Sequence, residues 1–222
     1  MEKEKIVLFG ASQHTKYTID IIEKEDKYNI IGIIDLLLAK GVNYEGYPVL
    51  GKQKDLASIL ELLNINKGIV LIGDNFMRHK VIDIILSQLP NFKFISAIHP
   101  SVLLGNNVKV GDGSVIMAGV IINNDTSIGQ HCFLATNSSV DHDSFIGDFS
   151  SISAGVTVGG GCTIGSSTAI ALGVSIIHGI TIGNNTVIGA GALVVKDFES
   201  NVVAYGNPAK IIRSRLNGEG YL

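Results

Sequence analysis

The sequence predicts two unlike parts, a small α/β unit over residues 1–97 and a hexapeptide β-helix over residues 98–222. Three observations carry that reading. Every sixth residue from Ile98 to Val194 is Ile, Leu or Val, without exception. Four residues after each, from Leu104 on, runs a second register (Val108, Ser114, Val120, Thr126, Cys132 and onward to Ala192) that is always small or β-branched. Before residue 98 the pattern changes to short apolar runs alternating with amphipathic stretches. A helix repeats its apolar residues every three to four positions and a half-buried strand every two. A strict period of six, with one large and one small inward position, belongs to short parallel strands wound round a triangular prism. Roughly three hexads close a coil, so residues about eighteen apart stack at ~4.8 Å.

In the first part, Lys5–Ala11 (KIVLFGA) reads as a buried strand, and Thr15–Asp26 carries helical periodicity. Asn29–Asp35 (NIIGIID) is a second strand ending on an acid, and Tyr44–Gly51 is loop with a short extended piece. Lys54–Leu63 reads as helix, Gly68–Gly73 (GIVLIG) as a third strand, Asn75–Ser87 as helix and Phe92–Ile98 as a fourth strand. Near-continuous apolar strands alternating with helices imply a parallel sheet covered on both faces, a Rossmann-like unit. Ligands of such sheets sit beyond the carboxyl ends of the strands. Here those ends carry Gly10, Ser12, Gln13 and His14, then Asp35, then Gly73, Asp74, Asn75 and nearby Arg78. The first turn, Gly10-Ala-Ser-Gln-His14, lacks the later glycines of G-x-G-x-x-G, which argues against a dinucleotide in the usual pose. A phosphate-bearing ligand at the helix N-terminus stays open, with Asp35 as an acceptor for ribose or base. Ordinary turn chemistry explains the same residues equally well. After the coils, Gly206-Asn-Pro208 marks a turn, and Ile211–Leu216 reads as a basic terminal helix.

Composition excludes several classes. The 222 residues carry a net charge of −3 and a pI near 6.0, so no basic footprint for nucleic acid exists. No apolar run approaches the ~18–20 residues needed to span a bilayer. The charged start Met1-Glu-Lys-Glu-Lys5 leads directly into a strand and does not resemble a signal peptide, so a cytoplasmic location is expected. Cys132 and Cys162 both fall on the small inward register and are expected as reduced packing residues.

A prism filled with aliphatic side chains must do its chemistry outside. The corner position, two after each large inward residue, forms three columns. Asp112, Gln130, Asp148, Ser166 and Asn184 make a polar, solvated one. Ala118, Thr136, Ala154, Leu172 and Ala190 make one that is mostly small and apolar, open to close approach. The third reads Asn106, Asn124, His142, Gly160, His178. His142 lies between Asp141 and Asp143, which raise its basicity. Gly160, one coil on, is expected to leave an open space with an accessible amide, as an oxyanion donor requires. A base beside such a donor suits acyl transfer. A surface histidine over a glycine turn is the plainer alternative. His178 invites a zinc reading, as in γ-class carbonic anhydrases, but a tetrahedral site needs a third ligand and none is found, so no metal is expected. His79, His99 and His131 are expected in surface or packing roles.

Taken together, Gly10-Ala-Ser-Gln-His14, Asp35, Gly46–Gly51, Ile72–Asn75 with Arg78, the hexads, Ser139–Asp143 and Gly206–Lys210 give a chain that resembles the sialic acid O-acetyltransferase and bacillosamine N-acetyltransferase family of bacterial sugar acyltransferases. The resemblance spans nearly the whole chain. It implies a left-handed parallel β-helix, a homotrimer with active sites between adjacent helices, and acetyl-CoA as donor. His142 would be the general base and Asp143 the acid that raises its basicity. Gly160 would offer its amide to the thioester carbonyl, while the backbones of Leu172 and Ala190 would contact coenzyme A. Ser12, Gln13, His14, Asp35 and Gly73 would hold a nucleotide-sugar. Three positions depart from the family pattern. Gln13 replaces a glycine, Leu36 replaces a second acid, and Ser151 stands where many members place a second histidine in the acetyl pocket. The expected reaction is N-acetylation of a nucleotide-linked amino sugar. O-acetylation of a sialic acid-like hydroxyl and a non-catalytic nucleotide-sugar-binding trimer are the alternatives.

Overall fold

The computed structural model describes residues 3–220. The N-terminal part is a six-stranded sheet built from β1 (Glu4–Phe9), β2 (Tyr28–Ile34), β3 (Asn43–Tyr44), β4 (Tyr47–Gly51), β5 (Lys67–Val70) and β6 (Lys93–Phe94). Its order is β3-β4-β2-β1-β5-β6, and only the β3–β4 hairpin is antiparallel. Successive residues of a strand face opposite sides of a sheet. In β1, Ile6 and Leu8 therefore meet α1 (Gln13–Glu25), through Ile19 and Ile22, while Val7 and Phe9 meet the other two helices. Those are α2 (Leu56–Leu63), with Leu56 and Leu60, and α3 (Asn75–Gln88), with Val81, Ile82 and Ile85. Coverage of both faces explains why β1 and β5 read as unbroken apolar runs.

From Ala97 on, two-residue strands pair in register with partners eighteen residues away, as in Val115 with Phe133 and Phe133 with Ser151. They form three parallel ladders. One starts at Ala97–Ile98 with six such strands and gains two longer C-terminal ones, the last antiparallel, to make eight; one starts at Leu103–Leu104 with six, and one at Lys109–Val110 with five. The large inward register is closed off from water between Ile116 and Val194, with no member more than 3% exposed. Each such side chain contributes about 1.5–3 kcal/mol by burial.

The small inward register has a use beyond filling space. Ser114 Oγ donates to Gly129 O and accepts the Cys132 amide; Ser150 Oγ donates to Gly165 O and accepts the Thr168 amide. Thr126, Ser144 and Thr168 repeat the pattern. Cys132 and Cys162 take the same place, with their thiols toward Gly147 O and Ile177 O. Both are free and buried, and desolvation pushes the Cys132 thiol up to about 12. A buried corner carbonyl needs a donor, and a short hydroxyl or thiol supplies one where valine cannot.

Two sequence expectations are corrected here. Phe92–Ile98 is not one strand: β6 closes the α/β sheet, Ile95 and Ser96 interrupt the strand, and Ala97–Ile98 opens the first β-helix ladder. Ile211–Leu216 is not helical. Val202–Gly206 adds to the eight-stranded ladder beside Val187–Ile188, and Ala209–Ser214 folds back on it antiparallel after the Asn207–Pro208 turn. An open edge in the last coil pairs a β-branched segment more favourably than a short isolated helix would form.

The three prism faces are treated unequally. Outward residues of the eight-stranded ladder (Ala97, Val115, Phe133, Ser151, Ala169, Val187) are all buried, because the α/β part sits on this face. On the other two faces Leu103 is 64%, Ile121 39% and Phe145 45% exposed. The junction is pinned by Arg78, which is fully buried. Its guanidinium donates to Ile72 O and Gly73 O on one side and to His131 O and Phe149 O on the other, and it lies 4.7 Å from the Phe133 ring centre.

Candidate active site

His142 follows the strand Ser139–Val140, at the corner between the six-stranded and five-stranded ladders and away from the covered face. Its side chain is exposed and its Nδ1 lies 2.8 Å from Asp143 Oδ2. Asp143 holds a left-handed backbone conformation (φ 54°), which turns its carboxylate back onto the ring. Asp141 supports the pair from the other side. It accepts the His142 amide at 2.9 Å and Asn123 Nδ2 at 2.7 Å, with its second oxygen 4.0 Å from His142 Nε2. The hydrogen bond to Asp143, and then the charge of Asp141, raise the imidazole above its ordinary pKa. With Nδ1–H donated to Asp143, Nε2 is the proton-accepting nitrogen of the neutral ring.

Gly160 stacks one coil on, and a Cβ built there would stand 2.6 Å from His142 Nε2. Only glycine leaves room for this ring. The open space expected beside His142 is absent in this state, since the imidazole rests on Gly160 and buries it. The amide remains a donor without an acceptor among the described residues. At the corners of Asn106, Gln130 and Ser166 the equivalent amide is capped by the side chain eighteen residues on. At Gly160 that residue is His178, which does not cap it. Among the described residues no group of three or more His, Cys, Asp or Glu side chains gathers as a metal site would require.

Leu172 and Ala190, both exposed, lie at a different corner, between the covered ladder and the six-stranded one. One open face therefore has the His142 corner along one edge and the Leu172 corner along the other. Ser151 is not near His142 within the chain. It is buried on the covered face, donating to Asn75 Oδ1 at 2.6 Å with Arg78 Nη2 at 3.5 Å.

The α/β part carries a cavity of about 270 Å³ at the carboxyl ends of β1, β2 and β5. Ser12, Asp35 and Gly73 line it; Gln13 and His14 do not. Ser12 caps α1 itself: its hydroxyl accepts the His14 amide and donates to Leu71 O, and Thr15 returns the bond to the Ser12 amide. The helix end expected to hold phosphate is thus largely capped from within. Asp35 is engaged as well, accepting from Ala11, Leu37 and Leu38 amides at 2.7–2.9 Å. Burial pushes its carboxyl up, but these three bonds outweigh that and leave it below the usual range. Asp35 therefore fixes the loop it sits on, and its Oδ2, which accepts one amide, keeps room for a further donor. His14 packs against Phe133 of the prism (4.7 Å between ring centres) and against Gly73, where a Cβ would come within 2.8 Å of Nε2. Burial, then Arg78, lower its pKa and keep it neutral. Sequence reasoning missed Gln53, which lines the same cavity from the turn before α2 and carries no motif. It also left Arg78 without a role, because a lone arginine on a helix gives no sign of the carbonyls around it.

Two family models match the chain. Residues 5–85 match the PglD N-terminal domain, and residues 101–136 match the bacterial transferase hexapeptide model (six repeats). Sequence comparison with the curated proteins gives no match. Among solved structures, a histidine-to-alanine variant of GDP-perosamine N-acetyltransferase from Caulobacter crescentus, in complex with CoA and GDP-perosamine, is 32% identical. The alignment covers 95% of this chain and 97% of that one, with a TM-score of 0.88. The acetyltransferase domain of PglB from Neisseria gonorrhoeae, in complex with acetyl coenzyme A, is 27% identical over 95% of this chain and 100% of that one (TM-score 0.85). WeeI from Acinetobacter baumannii shares the fold at 19% identity, over 95% of this chain and 100% of that one (TM-score 0.61). The α/β domain followed by a left-handed β-helix is common to this chain and the first two. This chain belongs to the hexapeptide-repeat family of bacterial sugar acyltransferases, and it is an acyltransferase.

Proposed function

We propose that the protein transfers the acetyl group of acetyl-CoA to the amino group of a nucleotide-linked amino sugar, with His142 as general base. The observation that carries this reading is the His142–Asp143 pair lying over the uncapped amide of Gly160. Support comes from the relatives that hold CoA with GDP-perosamine, or acetyl-CoA. As the amine nitrogen attacks the thioester carbonyl, an N–C bond forms and His142 Nε2 takes the amine proton. Asp143 stabilises the resulting imidazolium. The ring tilts off Gly160, whose amide then donates to the developing oxyanion. Collapse breaks the C–S bond, and the proton passes from His142 to the departing thiolate.

Three parts are needed for this reaction, and one chain keeps them apart. The α/β cavity sits over the covered face, His142 stands at the corner opposite that face, and Leu172 and Ala190 lie at a third place. We read this as a homotrimer in which the His142 corner of one copy meets the Leu172 corner and the α/β domain of the next. A heterologous contact of that kind closes into a ring under cyclic symmetry.

The test is thiol release from acetyl-CoA with UDP-, GDP-, dTDP- and CMP-linked sugars, each as the amine and as the corresponding hydroxyl compound. Release is expected only with an amine, with an amide as product. His142→Ala should lower kcat by ~10²-fold or more, the usual contribution of a general base. A near wild-type kcat in that variant would remove His142 from the chemistry.

A further inference from the structure

The cavity of about 270 Å³ in the α/β domain is smaller than the ~300–1,000 Å³ of a complete small-molecule site, so it takes only part of a ligand. Its walls are mainly apolar, from Phe9, Ile34, Ile72 and Val81, with exposed Leu36 and Leu37 at the loop after β2. Apolar-walled space beyond the carboxyl ends of parallel strands suits an aromatic ring better than a phosphate or a sugar.

Three polar side chains line this cavity among the described residues: Ser12, Asp35 and Gln53. Ser12 both donates and accepts within the protein, and Asp35 accepts three backbone amides. Gln53 differs. It is 9% exposed, its Nε2 is buried, and that nitrogen meets no acceptor. Its backbone is fixed, since Gln53 opens the short turn leading into α2, and its carbonyl lies 3.5 Å from Gln88 Nε2 of α3. A buried amide nitrogen left without an acceptor costs about 1–3 kcal/mol of stability. Such a group calls for an explanation, and on a cavity wall a ligand that completes it is one.

We propose that Gln53 is the residue by which this enzyme selects the base of its nucleotide-sugar. This rests on the nucleotide-sugar reading given above. A carboxamide presents a donor and an acceptor side by side. The Watson–Crick edge of a nucleobase presents the complementary pair, such as the N–H and C=O of a guanine or uracil imide. On binding, the Gln53 side chain would turn its buried Nε2 into the cavity, where the base lies between the apolar walls with its edge on the amide and its ribose and phosphates leading out toward the neighbouring copy's His142. Gln53 is a specificity residue and touches none of the reacting atoms.

The test measures binding of GDP, UDP, dTDP, CDP and ADP, and of inorganic pyrophosphate, to the full-length protein by calorimetry. Wild type, Gln53→Leu and Gln53→Glu are compared. Wild type should prefer one base. Gln53→Leu should weaken that nucleotide by about ten- to a hundred-fold and flatten the ranking, in line with the discrimination of one bidentate amide–base pair. Pyrophosphate binding should be unchanged. Saturating kcat should also hold, with the loss confined to the KM for the nucleotide-sugar. Thermal melting without ligand adds a second readout: Gln53→Leu should melt no lower than wild type, because it removes an unpaired buried amide. Unchanged ranking and affinity in Gln53→Leu, with a normal preference in wild type, overturns the role of Gln53 alone. Failure of wild type to bind any of the five nucleotides overturns the nucleotide-sugar reading and this inference with it. Should Gln53→Leu not fold, Gln53→Glu decides: a carboxylate cannot donate, so an unchanged base ranking in that variant sinks the proposal.

Discussion

The cavity of the α/β domain and the corner of the prism carry similar polar residues and treat them in opposite ways. At the cavity, Ser12 and Asp35 are held by helix and loop amides, so the protein's own backbone takes up much of their hydrogen-bonding capacity. At the corner, His142 and Asp143 hold each other and face solvent, with Nε2 left available. The difference follows from the architecture. Loops after parallel strands must be closed by side chains, because no neighbouring strand pairs their amides. Coils of a β-helix pair with the coils above and below, and several corner side chains cap the preceding coil, whereas His142 stays exposed at its corner. In the function proposed above, recognition would lie with shape, backbone and Gln53, and catalysis with exposed side chains.

The largest effect should appear where the two regions join. Arg78→Met removes the donors serving Ile72, Gly73, His131 and Phe149 carbonyls. Buried acceptors without partners cost about 1–3 kcal/mol each, so the variant should lose at least about 3 kcal/mol in chemical denaturation. A loss below 1 kcal/mol would mean that the Arg78 hydrogen bonds contribute little to joining the domains.

Acid should weaken the same junction. His131 is buried between Phe94 and Phe149, and His79 stacks on the far side of Phe149. Desolvation, then Arg78, lower its pKa to about 4, with Asp148 opposing and His79 adding to the effect. The unfolded chain therefore binds a proton below about pH 6.5 that the folded chain refuses until about pH 4. Stability is intact above 6.5 and falls across that window, by at most about 3 kcal/mol. His131→Phe should flatten this slope between pH 6.5 and 4, as read by denaturation at several pH values. An unchanged slope would place the acid sensitivity elsewhere.

A smaller change is expected at the corner. Asp143→Asn keeps a hydrogen bond to the ring but removes the charge, so the raised pKa of His142 should fall. The general base must be neutral, and activity rises as pH passes its pKa. The acid limb of the kcat/KM profile should thus move to lower pH in the variant, with a moderate drop in the plateau. A profile that does not move would separate Asp143 from the base.

Much of this was legible in the sequence, and unevenly. The six-residue period fixed the register and the column of His142 and Gly160, because each coil repeats the same geometry and the error does not accumulate. The hydroxyl and thiol rungs of Ser114, Cys132 and Ser150 were visible only as small residues, since their partners lie fifteen residues away across a corner. In the α/β domain the strands and helices were readable from apolar runs, but the partners of Asp35 and Ser12 were not. Loop closure depends on backbone amides that leave no mark on residue type. The C-terminal segment misled for a related reason. Ile211 and Ile212 alternate poorly, and only the open edge of the last coil makes them a strand.

The central claim is that catalysis requires two copies, one supplying His142 and the next supplying the α/β cavity. Two variants, each inactive alone, test it directly. His142→Ala removes the base and keeps the cavity. Gly73→Val crowds His14 and the cavity wall, where even a Cβ would come within 2.8 Å of Nε2, and keeps the base. The two proteins are co-expressed, purified as mixed assemblies and assayed for acetyl-CoA turnover. Shared sites would restore a substantial fraction of wild-type activity, because some interfaces join an intact His142 to an intact cavity. Mixed assemblies as inactive as their parents would place the whole site in one chain and contradict the account.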